Sequence, residues 1–297
     1  MSAPAHKRTR AALGDTHSSP VGSQSRIGAP LVREPRQSGG DCRVPVCRSR
    51  IIALSAGMSQ TLEVRSARLA ISRRSETRLV YYPPGLRQTR HEHSRAEISM
   101  VLAGSFRESQ PASDFAVDAG RLTTRAAGAE HAVTFGVRGA LILNLSVGSD
   151  EGVPKHIGWR SANLASVRRV LAHDPAEALW RLAKQSEPSG ARIGSAPPWV
   201  RKARERLQCT PVSVAELAAE FGVHRAHLTR SFVSWFGETP SRYRRRIMAE
   251  RALCAFLTGG SLAESAQAAE FADQAHMNRA IVELTGLAPG RLRRLLG

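Results

Sequence analysis

The sequence predicts an α+β multidomain chain, with an N-terminal β-barrel followed by an all-α domain of two helix-turn-helix units. Three observations carry that expectation. Residues 61–147 hold short β-rich runs separated by turn residues. Residues 161–184 switch to helical periodicity, and residues 197–297 contain an internal duplication. A length of 297 residues suits two domains, because single cores rarely grow past roughly 250 residues. A hydrophobic fraction of 42% is enough to build them.

The chain carries 43 Lys and Arg against 25 Asp and Glu, a net charge of +18. Such an excess points to a polyanionic partner. The excess is spread evenly, since residues 1–57, 58–196 and 197–297 each hold +6. Charge therefore does not locate a nucleic-acid surface, and pattern must. The longest apolar stretch, Gly139 to Val147, is far short of the ~18 residues of a membrane span. Four cysteines spread over this length make no disulfide framework, so a reducing, cytoplasmic setting is expected.

Residues 1–57 contain no Phe, Trp or Tyr, and 19 of the 57 are Ser, Gly or Pro. Such a basic tail is expected to be disordered, because it buries too little apolar surface to offset its ordering entropy. Strand-like sequence begins just after Met58, which predicts Met58 as the native start. The alternative for the tail is a basic arm on DNA phosphates.

The first domain, residues 58–160, reads as strands of about five residues. Arg78–Tyr82 ends at Pro83-Pro84-Gly85, Glu97–Leu102 ends at Ala103-Gly104, and Ala140–Val147 closes the series. His91 and His93 share one face of a strand by their i, i+2 spacing. Glu97 has the same parity, and His131 completes the set from a distant segment. Three imidazoles and a carboxylate suit a divalent transition metal such as Zn, Fe, Mn or Ni. The plainer reading is a polar barrel mouth that binds a small organic effector or only hydrogen-bonds to itself.

The spacing Gly85-x5-His91-x-His93-x3-Glu97-x6-Gly104 resembles the first cupin motif. The second motif is partial: Gly120, Gly128 and His131 fit, while Ala126 and Phe135 replace the usual Pro and Asn. The resemblance implies a cupin-like barrel with His91, His93, Glu97 and His131 at the metal positions.

Residues 161–196 read as connecting helices and a linker. Leu164, Val167, Val170 and Leu171 share a helical face. Asp174-Pro175 marks a stop and restart, after which Leu179 and Leu182 continue the stripe. Ser186 to Pro198 is the predicted linker.

Residues 197–297 repeat themselves. Ser213-Val-Ala-Glu-Leu-Ala matches Ser261-Leu-Ala-Glu-Ser-Ala, His227 to Arg230 matches His276 to Arg279, and Gly237 to Pro240 matches Gly286 to Pro289. Each copy reads as helix, tight turn, helix, with Ser213 and Ser261 as N-caps and a Glu three residues on. Leu228, Phe232 and Trp235 face inward in the first copy, which turns Arg225, Ala226, Thr229 and Arg230 outward. In the second copy Met277, Ile281 and Leu284 pack inward and leave Gln274, Asn278 and Arg279 exposed. Those outward residues are the predicted DNA contacts. A long helix from Pro240 joins the two copies.

These same residues resemble the AraC/XylS family of bacterial transcription regulators. The fit runs from Ser213-Val-Ala-Glu-Leu-Ala through Leu228-Thr-Arg230, Gly237-x-x-Pro240, Phe271-Ala-Asp-Gln274 and Gly286-x-x-Pro289. The resemblance implies two helix-turn-helix units in successive major grooves and an N-terminal sensor often built as a cupin. Two departures stand in the second copy: Glu270 replaces the usual Gly, and Ile281 the usual Phe. They predict a second unit that packs more loosely and contributes less affinity.

The expected function is sequence-specific transcription regulation, with no catalysis, controlled by a small effector or metal in the barrel. Double-stranded DNA is the expected partner, with RNA polymerase and a second copy of the chain as further candidates. The competing reading is a cupin metalloenzyme, dioxygenase-like, with a helical appendage.

Overall fold

The computed structural model describes residues 63–111, 113–148, 153, 159–160, 174–185, 196–210 and 212–297. The tail over 1–57, the start at Met58, the helix around Leu164–Leu171 and linker residues 186–195 lie outside the described residues.

Among the described residues eight strands form one antiparallel sheet. Its order is β1 (Arg65–Ile71), β2 (Ser75–Tyr82), β7 (His131–Val147), β4 (Ala96–Gln110), β6 (Arg121–Arg125) and β8 (Trp159–Arg160). β3 (Arg87–His91) pairs with β7, and β5 (Ser113–Asp118) pairs with β4. The long strands β4 and β7 run together from Ala96 opposite Val147 to Ser109 opposite Ala132, with register shifts at Val101/Ala103 and Gly104/Phe106. Those shifts bend the ribbon. At the bend a Cβ on Gly104 would collide with the Gly139 carbonyl oxygen, and one on Gly139 with that of Tyr82. Both glycines have positive φ, +77° and +65°, so side-chain-bearing residues fit neither position without strain.

Curling the sheet into a barrel gives it two buried faces. Val101, Phe106, Val117, Phe135 and Ile142 fill the inside. Leu79, Ile98, Met100, Leu141 and Leu143 point outward, yet they too are buried, because helices cover them. β2, β4 and β7 therefore read as continuous apolar runs rather than clean alternation.

The described helices are α1 (Pro175–Gln185), α2 (Pro198–Cys209), α3 (Val214–Glu220), α4 (Arg225–Phe236), α5 (Pro240–Leu257), α6 (Leu262–Ala268), α7 (Gln274–Thr285) and α8 (Pro289–Leu296). The architecture is of the expected kind: an antiparallel β domain followed by an all-α domain carrying two helix-turn-helix units. Ser213 and Ser261 each accept from the backbone N–H of Glu216 and Glu264, whose carboxylates accept in return from the serine N–H. α4 and α7 each stop at a left-handed glycine, Gly237 and Gly286. Pro240 and Pro289 start the next helices at their first positions.

The two units have different cores. Val200 and Leu207 of α2 pack with Leu217, Leu228, Phe232 and Tyr243 in a cluster belonging to the first unit. Met277, Ile281 and Leu284 of α7 share one cluster with the outer face of the barrel and with Leu179 and Ala183 of α1. Each fully buried Leu or Ile there contributes roughly 1.5–3 kcal/mol. Ile281 and Met277 are fully covered, in the cluster that takes in the outer face of the barrel.

Candidate nucleic-acid interface and barrel histidine cluster

The first unit exposes the beginning of α4. His224 caps that helix by accepting from the Ala226 N–H, and an open concavity runs over His224, Arg225, Ala226, Thr229 and Arg230. Four of these five residues are the predicted contacts. Sequence reasoning missed His224, although a polar residue directly before the helix was the available signal. The Thr229 hydroxyl donates to the Arg225 carbonyl oxygen at 3.0 Å, so Thr229 offers chiefly its methyl group outward. Trp199 stacks on the exposed His227 ring with centroids 5.5 Å apart and supports the same end of the helix.

In the second unit Asp273 caps α7, accepting from the His276 N–H at 2.6 Å. Gln274 and Arg279 are exposed, as expected. Asn278 is only partly so: its Oδ1 is buried and has no protein partner. Among the described residues no carboxylate is paired with Arg225, Arg230 or Arg279, whereas Arg245 lies 3.4 Å from Glu283 and Arg246 binds two glutamates.

At the barrel mouth His91, His93 and His131 come together, each offering a ring nitrogen within 4.8 Å of the others. Ring centroids lie 4.4 to 5.1 Å apart. Register places His91 opposite His131 across β3 and β7. The Nδ1 atoms of His91 and His131 face the carbonyl oxygens of Thr89 (2.7 Å) and Ala129 (3.2 Å). Donation from Nδ1–H to those carbonyls leaves each Nε2 with a free lone pair, the tautomer a metal requires. Burial, with the Arg125 charge, pushes the His131 pKa below its ordinary value. The donor set therefore fits a divalent transition metal on three imidazoles.

Glu97 stands at the edge of this cluster, with Oε1 3.7 Å from His93 Nδ1 and Oε2 3.6 Å from Arg125 Nη1. Deeper inside, Arg125 grips the fully buried Glu108 with both arms and donates to Ser99 Oγ at 3.1 Å. Burial opposes ionisation of Glu108, but Arg125 outweighs it and holds the carboxyl below the usual range. Arg125 and Glu108 were not foreseen from sequence. Their signal was parity: Arg125 lies opposite Glu97 on β4 and so shares its inward face.

Residues 217–295 match the helix-turn-helix domain family. No curated protein matches the chain. Among solved structures, a cupin superfamily protein from Desulfitobacterium hafniense is 16% identical, with 33% of this chain and 86% of that chain covered and a TM-score of 0.28. KdgF from Halomonas sp. is 18% identical over 30% of this chain and 82% of its own, with a TM-score of 0.27. The C-terminal domain of AraT, a response regulator from Geobacillus stearothermophilus, is 22% identical over 33% and 86%, with a TM-score of 0.32.

Proposed function

We propose that this chain, whose C-terminal residues form an AraC-type helix-turn-helix domain, is a transcription regulator that reads a two-part DNA site and answers to a ligand in its barrel. One observation carries the DNA reading. Two units built alike present exposed, acid-free arginines, Arg225 and Arg230 in one and Arg279 in the other, on helices joined by the unbroken 18-residue α5. That helix is about 27 Å long at 1.5 Å per residue, a rod suited to major grooves ~34 Å apart on one face of a duplex. Arginines on phosphates supply affinity and its salt dependence. Arg230 and Gln274 supply base choice, each good bidentate contact being worth ~1–3 kcal/mol.

The barrel supports control by a small effector or a metal. His91, His93 and His131 would hold the metal, with Glu97 beside them. A bound metal would supply a Lewis-acidic anchor for an oxygen-bearing ligand. Ser99 and Arg125 line the same inward face and would orient such a ligand. Among the described residues no helix is long and apolar enough to cross a membrane, in keeping with action at DNA in the cytoplasm. RNA polymerase and a second copy of the chain fit this role as further partners.

Selection of bound duplexes from a random pool tests the reading. A recovered pattern of two parts about one helical turn apart is expected, and recovery of no preferred sequence would overturn it. The three-histidine cluster also favours a second reading, a cupin metalloenzyme, which predicts bound metal in stoichiometric amount and no defined protected stretch of DNA. Metal retained by the purified full chain should be lost in His91→Ala and His131→Ala.

A further inference from the structure

We propose that the barrel is a brace that fixes the angle between the two helix-turn-helix units through two cross-domain ion pairs, Asp118–Arg204 and Arg138–Glu250, which makes Arg138 a positioning residue for DNA reading. The inference rests on the reading that both units contact DNA.

The barrel touches both units and the rod between them. At the β5–β6 turn Asp118 accepts from Arg204 Nη2 at 2.6 Å, and Arg204 belongs to α2, whose Val200 and Leu207 lie in the first unit's core. At the β7 bend Arg138 donates through Nε to Glu250 Oε2 at 2.9 Å, in the middle of α5. β4 packs on α7 of the second unit, and β1 on α8. The connecting helix α5 also packs on helices of both units, and the barrel holds that rod and the two units from one side.

The two ion pairs are parts of one network. Glu250, only 1% exposed, also accepts from Arg246 Nη1 at 2.8 Å, and Arg246 Nη2 donates to Glu238 at 2.8 Å in the turn after α4. The Arg246 guanidinium lies 4.7 Å from the Tyr243 ring centroid and that of Arg204 lies 5.5 Å from it. Tyr243 thus joins the Asp118 contact to the Glu250 contact through its ring. Strain from the barrel has a route inward as well. Asp118 follows Val117, whose side chain sits in the inner cluster, and Arg138 precedes Gly139, pressed against the backbone of Gly104. A ligand that moves the inner wall would move both anchor points together.

Arg138→Gln removes the cross-domain charge while leaving Glu250 paired with Arg246. The full-length variant is tested on the two-part duplex recovered by selection, on a duplex carrying only the first unit's part, and on a two-part duplex lengthened by about half a turn. Binding to the intact two-part duplex is expected to weaken ~5–10-fold, a coupling of ordinary size. Binding to the single part stays unchanged, and the penalty for the lengthened duplex shrinks, because unbraced units adapt to spacing. A purely structural role would not move that penalty. Asp118→Asn, at the other anchor, should do the same and covers the case of a misfolded Arg138 variant, which thermal melting reveals. Wild-type affinity and an undiminished spacing penalty in both variants would overturn the brace. Failure of the wild-type chain to select any two-part duplex would instead overturn the DNA reading itself.

Discussion

Glu270 is the one non-glycine residue with positive φ among the described residues, at +63°, and it stands where the first unit has Gly222 at +62°. A side chain in that left-handed region costs roughly 1–2 kcal/mol, partly offset by the extra unfolded-state freedom of glycine. Glu270→Gly should therefore raise stability by about 1 kcal/mol, seen as a melting point about 2–4 °C higher. The resemblance to AraC/XylS regulators made this residue legible in sequence, since Glu270 stands where that pattern has a glycine. The charge partners of single residues were less legible. Arg225, Arg230 and Arg279 could be placed outward by periodicity, but only the structure shows them free of carboxylates. Arg230→Ala should cost ~1–3 kcal/mol of binding and relax base preference at the position it reads. Arg279→Ala should cost less, because partly buried Asn278 leaves the second unit fewer outward groups.

The paired capping boxes tie elements to pH. Hydrogen bonds from the Ser213 N–H and hydroxyl hold Glu216 below the usual glutamate range, and Ser261 does the same for Glu264. A carboxylate with a depressed folded pKa stabilises the fold at neutral pH and loses that effect as pH falls through the depressed value. Stability from the boxes should hold from pH 7 to 5 and fade below about pH 4. The Glu216→Gln, Glu264→Gln double variant should show a shallower acid decline in melting temperature. Ser213→Ala should cost about 1 kcal/mol at neutral pH. Helix positions were readable because caps, turn glycines and apolar spacing are local. The strands were readable as a series but not as partners: pairing of Glu97 with Arg125 across β4 and β6 depends on register, which short polar runs do not announce.

The docking of barrel on reader was the least legible part. Asp118 and Arg204 are 86 residues apart, and Arg138 and Glu250 are 112 apart, so no local pattern links them. Burial disfavours the Asp118 charge, yet Arg204, Arg121 and Arg246 outweigh it and hold the carboxyl below its ordinary value. This anchor should therefore persist at neutral pH and loosen only below about pH 4. The sequence did carry one clue. Leu79-Val80-Tyr81 and Leu141-Ile142-Leu143 are apolar on both parities, more than a barrel with one wet face requires.

The doubly covered wall has a practical corollary for anyone wishing to cut this protein in two. Severed from its helices, the barrel would present Leu79, Met100, Leu141 and Leu143 to water as a single greasy panel, well suited to clumping with its own kind. The N-terminal half produced alone should precipitate or self-associate in sedimentation runs, while the entire chain stays dispersed. Exchanging one sensor for another would demand a replacement whose outside, and not merely its pocket, is shaped for the helices it must meet.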